Sequence, residues 1–197
     1  SRIIASLICV FLVRPAPGES IWHMDTTASG SNNGTSWFNA FHDLQDALSA
    51  AQSGDQILAA VGTYVPSHRT EAADPRTATF KLVDGVALYG GFPVGGGSWE
   101  QRDPVANETT LSGDIGVAGV DGDNCYHVVT TDHTGAATVL DGFVITAGNA
   151  DGVGKEDWGG GMYNYQSSVT VANCAFRHNT AARRAGGMYN KQSSPTV

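Results

Sequence analysis

Hydrophobic positions in this chain fall into three patterns. Residues 3–13 are almost wholly apolar, with Arg2 before them and Arg14 after. A run of this length suits the apolar stretch of an export signal and is too short to cross a bilayer. The second pattern is helical. Trp37, Phe41, Leu44 and Leu48 share one helical face, and Ala47 and Ala51 widen it. A polar turn segment, 31–36, precedes this face, and Ser53-Gly54-Asp55 ends it, with Gly54 as C-terminal cap. After Gly54 the third pattern takes over: short apolar runs at 56–61, 79–83, 86–89, 126–130, 137–140, 143–146 and 169–176, separated by Gly, Asp, Asn and Pro. No helical pattern lies between these runs. That argues against a doubly wound α/β sheet and leaves a sandwich, a barrel or a strand-stacking repeat architecture.

A direct repeat chooses among them. Residues 160–171 return as 186–197 with ten of 12 positions identical, at an offset of 26. Only Tyr165/Lys191 and Val169/Pro195 differ. The unit lacks the regular leucines of a leucine-rich repeat and is shorter than a propeller blade, while its Gly-Gly and Ser-Ser pairs do not suit paired helices. The expected fold is all-β: a parallel β-helix with a short N-terminal capping helix. Coils stacked about 4.8 Å apart would bring equivalent residues into contact. Met162 would meet Met188, and Asn164 would meet Asn190 in a buried Asn file. Val169 and Val171 would point inward and Thr170 outward, with the Gly pairs supplying positive φ at corners. The stretch 138–144 loosely matches 170–176 at an offset of 32, which places a lateral loop around 151–157. The expected organisation is a signal-like segment at 1–20, a cap with helix at 21–55, and coils over 56–197 that stop in mid-repeat.

Several of these residues carry a family resemblance. Gly159-Gly160-Gly161-Met162, Phe176-Arg177-His178-Asn179 and Gly186-Gly187-Met188 resemble the paired Gly-Gly and F-x-x-N repeats of bacterial polymorphic outer-membrane proteins. Gly-Met stands here where that family usually has Ala-Ile. The N-terminal half resembles the start of large secreted right-handed β-helix proteins. It shows, in order, Asn33-Gly34-Thr35-Ser36-Trp37, a short helix, Gly54-Asp55, Gly62-Thr63-Tyr64, Leu88-Tyr89-Gly90-Gly91-Phe92 and Leu111-Ser112-Gly113-Asp114. The resemblance covers about 21–197. It implies a right-handed, pectin-lyase-like β-helix and a secreted or cell-surface location, and says little about activity.

Composition narrows the partners. Charged residues make up 15% of the chain, and 11 Lys and Arg face 19 Asp and Glu for a net charge of −8. This balance argues against nucleic acid, which needs clustered cations, and against anionic lipid. Cys125 and Cys174 would remain after signal removal. They could pair in an oxidising compartment, but a Cys in an apolar strand more often acts as a small core residue.

Candidate chemistry is sparse. Asp151, Asp157, Arg177, His178, Arg183 and Arg184 are the best local set for a sugar cleft, against the plainer reading of solvated corners. No spacing singles out a pair of acids. Asp114 with 121–124 offers oxygens for Ca²⁺ but matches no calcium-loop spacing, so an acidic turn is the better reading. His23, His42, His68, His127, His133 and His178 are scattered, and no zinc motif occurs. Gly95-Gly96-Gly97 reads as a flexible lateral loop. Trp22, Trp37, Trp99 and Trp158 offer faces for sugars. Asn33-Gly34-Thr35 and Asn107-Glu108-Thr109 are formal glycosylation sequons. No catalytic residue, cofactor-binding residue, metal ligand or cofactor is assigned. The expected function is a secreted or surface-displayed stalk or adhesin-like module that meets surface glycans or proteins. The alternative is an extracellular polysaccharide lyase or glycoside hydrolase.

Overall fold

The computed structural model describes residues 19–197. The apolar run at 3–13 and Cys9 lie outside the described residues. The chain starts with β1 (Ile21–Met24) and a seven-residue helix α1 (Leu44–Ala50). It then runs through β2 (Gln56–Ala60), β3 (Gly62–Tyr64) and β4 (Phe80–Lys81), and through β5 (Ala87–Phe92), β6 (Thr109–Ser112) and β7 (Val129–Asp132). Next come β8 (Val139–Asp141), β9 (Phe143–Thr146), β10 (Asn149–Ala150) and β11 (Met162–Tyr165). The last group is β12 (Thr170–Ala172), β13 (Ala175–Arg177), β14 (Thr180–Ala181) and β15 (Met188–Lys191). All pairing between these strands is parallel. A first sheet has the order β1-β2-β5-β8-β12, a second β3-β6-β9-β13, a third β4-β7-β11-β15, and a small fourth β10-β14.

This corrects the expected right-handed parallel β-helix. The described residues form four separate parallel sheets of two to five strands that do not close into a solenoid, with one short α-helix and four 3₁₀ turns in the connections. The physical reason is uneven spacing. Along the first sheet the partner of Gln56 is Ala87, that of Ala87 is Val139, and that of Val139 is Thr170. Offsets of 31 and 52 therefore alternate where one period was expected. Irregular excursions such as 65–79, 93–108, 113–128 and 151–161 separate the sheets at their corners.

The core lies between the first three sheets, where alternate strand residues turn inward. Ile57, Leu88, Leu140 and Val171 form one in-register row; Tyr64, Leu111, Ile145 and Phe176 a second; Phe80, Val129, Met162 and Met188 a third. Most of these side chains are fully buried, each contributing roughly 1.5–3 kcal/mol by leaving water. The direct repeat lies in adjacent strands, with Met162 beside Met188 and Asn164 beside Asn190. Thr131 Oγ1 donates to Asn164 Oδ1 (2.6 Å) in the interior, and Asn164 Nδ2 donates to Asn190 Oδ1 (2.7 Å), but Asn190 is exposed, so the expected Asn file is buried only at Asn164. The looser match upstream is one residue out: Thr170 pairs with Val139, an offset of 31.

Two local expectations change. The helix begins only at Leu44, because Asp43 is extended and its side chain accepts from Gln45 N. Trp37 and Phe41 lie before it. Phe41 packs on Trp22, and Trp37 sits between His23 and Phe92. The Gly pairs at 160–161 and 186–187 do not occupy positive-φ corners. A Cβ on Gly160, Gly161 or Gly186 would collide with backbone carbonyl oxygens, those of Thr180, Gly187 and Asn179, whereas Gly187 has room for one. The left-handed corners are taken by other residues, including Gln166 and its repeat mate Gln192.

Candidate functional site

The outer face of the third sheet carries the most developed groove. Since Met162 and Asn164 point inward, their neighbours Tyr163 and Tyr165 point outward. Register then builds two outward rows, Lys81–Thr130–Tyr163–Tyr189 and Asp132–Tyr165–Lys191. Two excursions wall this face: one brings Thr70, Arg76 and Thr77, the other Lys155 and Glu156. The enclosed volume is about 440 Å³, within the range of small-ligand sites.

The rings are layered along the stack. His127 stacks on Tyr163 (centroids 5.1 Å) and Tyr163 on Tyr189 (6.0 Å), and Trp158 tilts against Tyr189 (5.2 Å). Of these rings, His127 and Tyr163 line the groove, and stacking leaves their edges rather than their faces free. The charged groups are mostly paired. Lys81 is 3.6 Å from Asp132, Lys155 is 3.6 Å from Glu156, and Asp132 also meets His133. Arg76 binds Asp151 and the Asn124 and Asn149 carbonyls, with its guanidinium 4.3 Å above the Tyr126 ring. Lys191 differs: its ammonium lies over the Trp158 and Tyr165 rings, and no carboxylate pairs with it among the described residues.

Burial sets the protonation of the groove's central groups. His127 is only 8% exposed, and burial pushes its pKa down to about 4, against a smaller opposing effect of its hydrogen bond with Gly159. Its imidazole is therefore neutral at physiological pH. Burial first, and then the neighbouring Tyr189, raise Tyr163, so this phenol keeps its proton. The groove offers neutral donors and acceptors with cations around them, a chemistry suited to holding polyhydroxylated ligands.

The residues singled out from the sequence are divided. Asp151 is taken by Arg76, and Asp157 is buried 3.8 Å from Arg183. Arg184 lies over Trp158 beside the groove. Arg177 is on the second sheet, paired with Glu108, and His178 follows it at a left-handed corner. The expected cleft does not assemble as one site. Arg177 instead lines a second groove with Arg102, Glu108 and Cys174, where Arg102 is fully engaged by Asp141 and Gly90. Asp114 and Asp123 each hold loop backbone, through Gly119 N and Val117 N. No cluster of three or more His, Cys, Asp or Glu side chains placed for a metal occurs among the described residues. Cys125 and Cys174 are both free, their thiols pushed up to about 12 and about 11 chiefly by burial.

The glycine loop is not free. Gly95 N donates to Asp25 Oδ2, Trp37 Nε1 donates to the Gly97 carbonyl, and a Cβ on Gly96 (φ +83°) would enter the Trp37 ring. Of the groove, sequence reasoning marked only His127, His133 and the neighbouring Trp158. Tyr163 and Tyr189 carried a signal, since they recur in the repeat next to the inward Met and Asn. Comparison with protein-family models, with curated proteins and with solved structures returns no match.

Proposed function

We propose that this chain is a secreted or surface-displayed binding module that engages glycans through the groove on its third sheet. One observation carries the reading: the outward tyrosines of β11, Tyr163 and Tyr165, meet two walling loops in a groove of sugar-sized volume that is also lined by His127, whose buried Nε2 has no partner. Both carboxylates in that lining, Asp132 and Glu156, are in ion pairs, so neither is set up as the free acid or base of a glycoside hydrolase. Among the described residues no helix is long and apolar enough to cross a membrane.

A glycan array with the full chain tests this. Binding to a defined subset of glycans is expected, with loss in Tyr165→Ala, a half-buried outward position whose removal spares the core. Absence of any glycan binding would overturn the reading. Release of unsaturated or reducing-end products from a bound polysaccharide would favour the degrading enzyme instead.

A further inference from the structure

We infer that the groove takes an acidic oligosaccharide, with an anionic group of the ligand on the Lys191 ammonium and a ligand hydroxyl donating to His127 Nε2. This rests on the glycan-binding reading and goes further in naming the ligand class and two contacts.

The first contact follows from an orphaned atom. His127 Nδ1 lies 3.0 Å from the Gly159 carbonyl oxygen. A carbonyl only accepts, so Nδ1 carries the proton and Nε2 is left as an acceptor. Nε2 is buried, has no partner, and belongs to a residue that lines the groove. A buried acceptor left unpaired costs about 1–3 kcal/mol. A sugar hydroxyl supplies the missing donor. A water can do so in the free protein, and a hydroxyl that replaces it keeps the bond.

The second contact follows from charge. Of the cations in the lining, Arg76 is paired with Asp151, Lys81 with Asp132 and Lys155 with Glu156, which leaves the Lys191 charge unbalanced although the whole chain carries −8. Lys191 is the cation in this set without a carboxylate partner among the described residues. A local positive groove on an acidic chain selects anions by complementarity. Nearby Trp158 Nε1 is also buried without a partner, a further donor beside Lys191.

Span sets the ligand's size. His127 lies just before β7 and Lys191 on β15, two strands apart across β11, about 10 Å at the usual strand spacing. One ligand touching both crosses the strands, a reach beyond a single sugar ring.

Calorimetric titration of the full chain tests the inference with three probes of matched length: an oligogalacturonate, a heparin-derived oligosaccharide and a neutral chito-oligosaccharide. At least one acidic probe is expected to bind about tenfold more tightly than the neutral one, a margin that shrinks with added salt. The two acidic probes separate carboxylate from sulfate recognition. Lys191→Ala should weaken the acidic probe about tenfold and leave the neutral one unchanged, while Lys191→Arg retains affinity. His127→Phe keeps a ring against Tyr163 but removes the acceptor, and should weaken acidic and neutral probes alike with the fold intact by circular dichroism. Equal affinity for acidic and neutral probes overturns the acidic inference and leaves glycan binding standing. No binding by any probe or on the array overturns both. Unchanged affinity in Lys191→Ala or in His127→Phe overturns that residue's assigned contact.

Discussion

Two aromatic clusters in this protein use the same residue types to opposite ends. At the start of the stack, Trp22, His23, Trp37, Phe41 and Phe92 pack on one another, and their polar atoms are engaged. Trp22 Nε1 donates to Asp55, Trp37 Nε1 donates to Gly97 O, and His23 Nδ1 meets Gly34 O. On the third sheet, His127, Tyr163, Tyr189 and Trp158 are layered just as closely, but His127 Nε2 and Trp158 Nε1 are buried without partners. The closed cluster has completed its hydrogen bonds and acts as structure. The open one has left two incomplete beside a groove. Aromatic content alone does not separate a packing cluster from a binding site; the state of the polar atoms does.

The sharpest way to test this contrast is to truncate one side chain of the closed cluster and one beside the open cluster. Phe92 is fully buried, so Phe92→Ala should cost about 3–5 kcal/mol in urea unfolding. Lys191→Ala in the open groove should stay within about 0.5 kcal/mol of the parent. A large loss at Lys191 would mean the groove is structural and would break the contrast.

Acid should undo the two clusters in separate windows. The folded pKa of His127 lies below its unfolded value of 6.5, at about 4. The unfolded chain therefore binds the extra proton first, so stability is fully present above 6.5 and falls as pH drops towards 4. The full loss from this group is on the order of 3 kcal/mol, and His127→Phe should flatten that part of the curve. Asp55 behaves oppositely in origin. Burial pushes its carboxyl up, but hydrogen bonds from Gln52 N, Ser20 N and Trp22 Nε1 outweigh burial and hold it below 3.8. Its contribution is present above 3.8 and is lost as pH falls further. Asp55→Asn should cost about 2 kcal/mol at neutral pH and remove the lower limb. Coincident limbs in the two variants would show the clusters to be one unit. A further small effect belongs outside both. The exposed Arg177–Glu108 pair should give at most about 1 kcal/mol in a double-mutant cycle, vanishing in high salt.

The sequence announced the stacking of its last two layers because the repeat there is nearly identical, so Met162 and Asn164 could be matched with their partners directly. Elsewhere the partners share only hydrophobicity. Leu88 pairs with Leu140 across 52 residues, and no spacing rule reveals a loop-bearing layer of that length. The helical face misled at Trp37 and Phe41 because Asp43, the N-cap, sits between them and Leu44. The groove stayed hidden for a related reason. Arg76, His127 and Lys155 come from three different excursions and Lys191 from β15, so only three-dimensional register brings them together. The charged set at 151–184 looked compact along the chain but is split between two faces by the corner at His178.

The in-register repeat also has a meaning at the level of the gene. Gln166 Nε2 donates to Gln192 Oε1, and Ser167 N donates to Ser193 Oγ, each link joining residues 26 apart. A tandem duplication of that 26-codon segment would insert a further layer whose Met, Asn, Gln and Ser rows all find partners, and its loss would remove one just as cleanly. A gain or loss differing by a single codon would send every inward side chain outward. The height of this end of the molecule, and the number of outward tyrosines it presents, can thus change by copying events that leave the layers on either side undisturbed.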